Sequence, residues 1–222
     1  PNEQVGKYVE PENWNDIIND PEITVIDTRN DYEVEIGSFK NAVDPNTQTF
    51  GQWNEYVEKK LSDQKEKKIA MFCTGGIRCE KASSHLIKKG FKEVYHLKGG
   101  ILNYLEKIEP ENSLWDGECF VFDHRVSVVH GLKDGNAKIC FGCRWPLQEK
   151  DLESEKYEPG VCCPHCADKL DPVRRASLVE RNRQIQIARK KKRDHLGQDV
   201  ALMTTRKIAR KNRQKTKTES AR

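Results

Sequence analysis

The chain alternates short apolar runs with segments of helical period. Tyr8-Val9 leads to Pro11, a residue suited to the first turn of a helix, and Trp14, Ile17 and Ile18 then share one face. Asp20-Pro21 stops that helix, and Ile23-Thr24-Val25-Ile26 reads as a strand running into Asp27-Thr28-Arg29. Residues 30–51 carry Asp, Asn, Gly and Pro at close intervals and read as loops. Trp53, Tyr56, Val57 and Leu61 mark an amphipathic helix, and Ile69-Ala70-Met71-Phe72 a buried strand. Ala82, Leu86 and Ile87 share the face of a further helix, stopped by Gly90. Glu93 to Leu97 is another strand, and Gly99-Gly100 opens a helix bearing Ile101, Leu102 and Leu105. Strands alternating with helices predict a parallel sheet covered on both faces.

Between the buried strand and its helix stands Cys73-Thr74-Gly75-Gly76-Ile77-Arg78-Cys79. Two glycines let the backbone curl and aim several N–H groups inward. The helix N-terminus adds partial positive charge there, and Arg78 a full one. A cysteine opening such a loop is expected to be a thiolate near neutral pH. The loop would lie at the carboxyl end of a strand, where open α/β sheets bind ligands. Asp27 and Arg29 fit a structural ion pair at a strand end, or a role in orienting the loop or touching substrate. Cys79 could resolve a disulfide with Cys73 or pack against the first helical turn.

Beyond residue 110 the pattern changes. Trp115 to Phe122 reads as a strand, turned by Asp123-His124-Arg125, with Val126 and Val128-Val129 returning; Cys119 is expected in the core. Cys140-x2-Cys143 and Cys163-x2-Cys166 then stand in the C-x2-C-x19-C-x2-C spacing of a tetrahedral zinc site, with Cys162 able to replace Cys163. A closed four-thiolate site is structural, and a segment with so few apolar residues needs such a staple. In the last segment Val173, Ala176, Val179 and Arg183 could lie along one helix face, followed by basic runs at Arg189–Arg193 and Arg206–Lys217.

Composition sharpens this picture. Of 222 residues 36% are hydrophobic and 33% charged, so part of the chain is expected to lie outside any core. No run of 18 apolar residues suggests a membrane span, and no N-terminal signal pattern is visible. The eight cysteines, set in a thiolate-type loop and C-x-x-C pairs, favour a reducing cytoplasm over secreted disulfides. The net charge of +4 hides an asymmetry. Residues 173–222 hold 17 Lys/Arg against 4 Asp/Glu, whereas the preceding 172 residues hold 22 against 31. A basic tail on an acidic body reads either as a solvated extension or as a sequence-independent grip on RNA phosphates.

The region from about residue 5 to 110 resembles a rhodanese domain. The resemblance rests on Asp27-Thr28-Arg29-Asn30-Asp31-Tyr32-Glu33, on Gly37-Ser38-Phe39-Lys40-Asn41-Ala42, on the loop Cys73–Arg78 and on His96-Leu97-Lys98-Gly99-Gly100-Ile101. Ser38 stands where a histidine is common, and Asn41 where a glycine is common. Related phosphatase domains use a loop one residue longer to cradle a tetrahedral phosphate; Cys73-x4-Arg78 is the short form, suited to a sulfur carried on cysteine. The expected fold is a rhodanese-like parallel five-stranded sheet with helices on both faces (residues 5–110). A cysteine-rich zinc module (111–172) and a basic helical or disordered tail (173–222) follow.

The rhodanese loop, Ser113-Leu114-Trp115-Asp116-Gly117-Glu118-Cys119-Phe120-Val121-Phe122-Asp123 and the C-terminal cysteine pairs together resemble the rhodanese-containing tRNA uridine 5-hydroxylases, from about residue 5 to 172. That resemblance implies a bacterial, cytoplasmic enzyme that makes 5-hydroxyuridine at the tRNA wobble position with molecular oxygen as co-substrate. It implies that Cys73 is catalytic, acting as a persulfide; Arg78 is expected to be catalytic with it, stabilising a developing oxyanion together with loop N–H groups, and Thr74, Gly75, Gly76, Ile77 and Cys79 complete the active-site loop. It also implies an upstream ferredoxin-like domain, absent from these residues; the chain opens at Pro1, as a fragment would. No flavin or nicotinamide motif is visible. Two other readings compete: a plain sulfurtransferase passing sulfane sulfur to a small or RNA acceptor, and a non-catalytic RNA-binding scaffold. The basic tail and cysteine module weigh against the first, and the intact loop against the second.

Overall fold

A computed structural model describes residues 4–191. Its centre is a parallel sheet of four strands: β1 (Lys7–Val9), β2 (Ile23–Asp27), β4 (Lys68–Phe72) and β5 (Val94–Leu97), in the order β1-β5-β4-β2. The sheet has four strands among the described residues where five were expected; beyond β2 a single parallel bridge joins Ile26 to Val43. The chain then enters Asp44-Pro45-Asn46, where the Asp44 carboxylate accepts locally from the Asn46 N–H at 2.7 Å and Pro45 has no N–H to give a ladder.

β4 is central, and its alternation sorts the core into two layers. Ala70 and Phe72 face Trp14 and Ile18 of α1 (Trp14–Asn19) and Ile101, Tyr104 and Leu105 of α5 (Gly100–Lys107). Ile69, Met71 and Cys73 face the other way, onto Trp53 of α3 (Trp53–Tyr56), onto Val57 and Leu61 of the wider turn after it, and onto Ala82 and Leu86 of α4 (Ile77–Lys88). A strand buried on both faces must be apolar at nearly every position, as β4 is.

Residues 30–51 are more ordered than a loop. The Asn30 N–H donates to the Glu33 carboxylate at 3.1 Å, one half of a capping box, and so starts the short helix α2 (Asp31–Val34); β3 (Gly37–Phe39) follows. At Asn41 φ is +62°, a left-handed conformation that asparagine tolerates, which explains how it can stand in for glycine.

The single strand expected over Trp115–Phe122 is broken in two. Gly117, at φ +84°, ends β6 (Trp115–Gly117), which pairs antiparallel with β3 and sets Trp115 opposite Phe39. β7 (Cys119–Phe120) then pairs with β8 (Ser127–Val128). Phe39 meets Phe72, Tyr104 and Trp115 edge-on at 4.7–5.0 Å between ring centres, so Trp115 and the fully buried Cys119 belong to the same core as α1 and α5. A separate apolar cluster of Cys140, Leu147, Val161, Cys163, Cys166 and Leu178 holds the C-terminal module together. It contains β9 (Lys138–Ile139), β10 (Pro146–Leu147) and α6 (Glu149–Leu152).

α7 (Pro172–Lys190) leaves that module, capped by the Asp171 carboxylate, which accepts from the Arg174 N–H at 2.9 Å. Its docking position is Leu178 rather than the expected apolar face. Val173 and Val179 are exposed; Leu178 is the apolar side chain of α7 that the module buries, and Arg174 and Asn182 add polar contacts by donating to the Gly142 and Pro159 carbonyls at 3.0 and 2.8 Å. The basic run at Arg206–Lys217 and part of that at Arg189–Arg193 lie outside the described residues. Among the described residues no helix is long and apolar enough to cross a membrane.

Candidate active site and metal centre

Cys73 ends the alternation of β4 and is 1% exposed. After it the chain turns through Gly76, at φ +90°, into α4. That turn aims the Gly76 N–H at the Cys73 sulfur, 3.1 Å away. The back of the loop is held by a second loop. The N–H groups of Ile101 and Leu102, at the start of α5, donate to the Cys73 and Thr74 carbonyls at 2.9 and 3.1 Å. A side chain at Gly100 would stand 2.4 Å from the Cys73 carbonyl oxygen, so the Gly99-Gly100 pair follows from how closely two backbones approach.

The Cys73 thiol is lowered to about 6. The leading cause is a hydrogen bond from the Cys79 thiol. The main chain of Cys79, the charge of Arg78 and the Gly76 N–H add to it, against the opposing effect of burial. Burial pushes Cys79 well above the ordinary thiol range, so it keeps its proton and can donate. It also lies 3.5 Å from the Thr28 hydroxyl, which donates to the Phe72 carbonyl at 2.9 Å. Cys79 is thus packed, fully buried, in the first turn of α4, as a free thiol beside that of Cys73.

Arg78 is not a bare charge. Its guanidinium makes two bonds, of 2.6 and 2.7 Å, to the Glu33 carboxylate and a third, of 3.2 Å, to the Thr74 hydroxyl. Glu33 is fully buried and is the same residue that caps α2. Desolvation works against the Arg78 charge, and Glu33 overcomes it and raises the group further. The sequence contains Glu33 within a signature, yet nothing in its spacing assigns it this pairing; only the Asn30-x-x-Glu33 capping pattern hints at its place. Asp27 and Arg29 form a fully buried ion pair at 2.6 Å. Arg29 also donates to the Glu33 and Gly37 carbonyls, at 3.1 and 2.6 Å, and lies over the Trp115 ring at 5.1 Å. Ser38, in the place of a common histidine, donates to Asp27 at 2.9 Å. The pair is therefore structural: it fixes the main chain of Glu33, and Glu33 fixes Arg78. Gly75 and Ile77 form the exposed rim of the loop.

The second cluster is Cys140, Cys143, Cys163 and Cys166, whose sulfurs all lie within 4.8 Å of one another. The separations of Cys140 from Cys166, Cys143 from Cys163 and Cys163 from Cys166 are 3.9, 3.7 and 3.9 Å. A tetrahedron with metal–sulfur bonds of about 2.3 Å has edges of about 3.8 Å, so the four can hold a metal ion. Cys162 points elsewhere, donating to the Lys156 carbonyl at 3.6 Å and meeting Arg175 at 3.5 Å, which assigns the cluster to Cys163. Trp145 anchors this module to the α/β domain by donating to Glu35 at 2.8 Å, and its ring stacks on His165 at 4.8 Å.

Residues 10–107 match the Rhodanese-like domain family. The chain carries a rhodanese-like domain. Across 206 residues, 93% of its length, it is also 54% identical to a protein named tRNA uridine(34) hydroxylase from Teredinibacter turnerae. It spans 64% of that relative's length. Among solved structures, a rhodanese-related protein from Thermoplasma volcanium is 25% identical, with a TM-score of 0.38 over 47% of this chain and 95% of its own. A Saccharomyces cerevisiae homologue of single-domain rhodanese and of the Cdc25 phosphatase catalytic domain is 14% identical, with a TM-score of 0.40 over 50% of this chain and 88% of its own.

Proposed function

We propose that the chain is the rhodanese-bearing part of a cytoplasmic bacterial enzyme that hydroxylates the wobble uridine of tRNA at C5, with molecular oxygen as co-substrate. Cys73 is its catalytic cysteine. The observation that carries the reading is a buried thiol, lowered to about 6, at the base of the Cys73–Arg78 loop. The likeness to a protein named for that reaction supplies the substrate.

Uracil C5 is a poor site for direct oxidation. A sulfur nucleophile adding to C6 sends an electron pair through C5 to O4, and the resulting enolate attacks an electrophilic oxygen from C5. Loss of the C5 proton and expulsion of the sulfur restore the ring. A reductant supplied in trans takes the other oxygen atom to water. At 1% exposure the Cys73 sulfur has little reach of its own. A persulfide extends it by about 2 Å, which favours the second sulfur as the attacking atom. Loop N–H groups steady developing negative charge. Arg78, held by Glu33, positions the loop rather than meeting the oxyanion directly. The four-cysteine cluster holds structural zinc, closed to substrate. The rhodanese domain ends near residue 110, and the basic segment from residue 173 grips phosphates.

The test is Cys73→Ser in the full-length protein, assayed by nucleoside analysis of wobble-uridine tRNA with oxygen present and then excluded. Serine keeps the fold and loses all hydroxylation. Hydroxylation by the serine variant would remove the loop from the chemistry. In a deletion strain, loss of a thiolated nucleoside instead of the 5-hydroxyuridine-derived ones would assign sulfur transfer.

A further inference from the structure

Against Tyr32 of α2 the chain forms an open groove of about 630 Å³. Its walls are aromatic: Tyr32, Phe120, Phe122, Phe141 and Trp145 line it, with Arg144 at the edge. Phe122 is 71% exposed and Phe141 43%. The rings are already arranged at angles to one another. Tyr32 meets Phe120 and Trp145 edge-on at 5.4 and 5.9 Å, and Phe120 meets Phe122 at 5.0 Å and 90°. The guanidinium of Arg144, in the groove wall, and that of Arg181 of α7, in the neighbouring cavity that shares Phe141, lie over the Phe141 ring at 5.9 and 5.5 Å. Among the described residues neither is paired with a carboxylate. The one acid in the groove wall, Asp123, is bound to Arg125 at 2.7 Å.

Exposed ring faces interleaved with uncompensated guanidiniums suit one ligand chemistry. Every nucleobase has a π face to stack on an aromatic ring, and every nucleotide a phosphate to meet an arginine. An apolar protein partner would satisfy the rings and strand both charges. We propose that this groove binds an unstacked nucleobase of the tRNA anticodon loop, next to the base delivered to Cys73. The proposal rests on the tRNA reading above and adds a second contact to it. The groove and the reactive loop share a support: Tyr32 is in the groove wall, and Glu33, the next residue, holds Arg78. A base seated on Tyr32 and Phe122 therefore fixes the loop RNA to the element that shapes the catalytic loop. Docking at a single-stranded loop also fits the wish of any base-modifying enzyme to take its target out of the stack.

The experiment measures affinity of the full chain for an anticodon stem-loop RNA, and for the same hairpin with abasic positions throughout its loop. Phe122→Ala and Arg181→Gln are compared with wild type. Phe122 belongs to none of the buried clusters, so its removal should leave the urea midpoint in place. Wild type is expected to prefer the intact loop, and Phe122→Ala to lose about 5- to 100-fold of that affinity while binding the abasic hairpin unchanged. Arg181→Gln should reduce the salt slope by about one unit. Wild-type binding that Phe122→Ala leaves intact would overturn the groove proposal and spare the tRNA reading. No binding of tRNA or hairpin by wild type would overturn both. A change of oligomeric state on Phe122→Ala, with RNA affinity unaltered, would assign the groove to a second copy of the chain and overturn the proposal.

Discussion

Replacing Arg78 tests how the reactive loop is held. Viewed from the sequence, Arg78→Ala merely removes a positive charge from the loop. In the structure it strands a carboxylate. Glu33 is fully buried in its side chain, Arg78 is 20% exposed, and the two are joined by bonds of 2.6 and 2.7 Å. Breaking a buried pair by removing one partner is destabilising by about 3–5 kcal/mol. Two partners of Glu33 remain, the Thr74 hydroxyl at 3.3 Å and the Asn30 N–H at 3.1 Å. Arg78→Ala should therefore sit near the lower end, at about 3 kcal/mol, or about 150-fold in the folding equilibrium. Glu33→Gln alone should be milder, about 1–2 kcal/mol, because the guanidinium it leaves can turn to water. The double variant should then be more stable than the sum of the two singles predicts, with a coupling of about 2 kcal/mol. Urea unfolding at constant slope reads all four corners of the cycle. A cost under about 1 kcal/mol for Arg78→Ala, additive with Glu33→Gln, would refute the buried pair. Activity separates the roles further. Recovery in the double variant marks Arg78 as a positioning residue, and loss in both variants marks the guanidinium itself as necessary.

Two further outcomes follow from the same geometry. With its thiol lowered to about 6, Cys73 should be alkylated by iodoacetamide at a rate that rises through pH 6 and levels above pH 7. Cys79→Ala removes the leading cause of that shift and should raise the midpoint, lowering the thiolate fraction at pH 7 and slowing labelling there. An unmoved midpoint would show that the Gly76 N–H and Arg78 suffice. Purified protein should carry about one zinc per chain, lost from Cys163→Ser together with stability of the C-terminal module and kept by Cys162→Ser. Metal loss from the Cys162 variant instead, measured by elemental analysis, would reverse the ligand assignment.

Much of this protein is determined by local sequence. The alternation of Ile69 to Cys73, buried on both faces, makes a central parallel strand. The glycines after Cys73 make a tight anion-friendly turn, and the paired C-x2-C spacings make a four-sulfur cage. In each case the residues that interact are neighbours or stand in short, fixed motifs, so spacing carries the geometry. What the tertiary structure decided are contacts between residues far apart in the chain. Glu33 reaches Arg78 across 45 positions, and Trp115 joins the core of α1 and α5 by pairing β6 with β3. Cys163 rather than Cys162 turns toward Cys140, and Arg181 of a helix read as a tail comes to lie over Phe141. No period or motif encodes these pairings. Each depends on the free energy of filling one shared interior, where a buried charge must find its counter-ion and a ring its neighbour wherever the fold brings them.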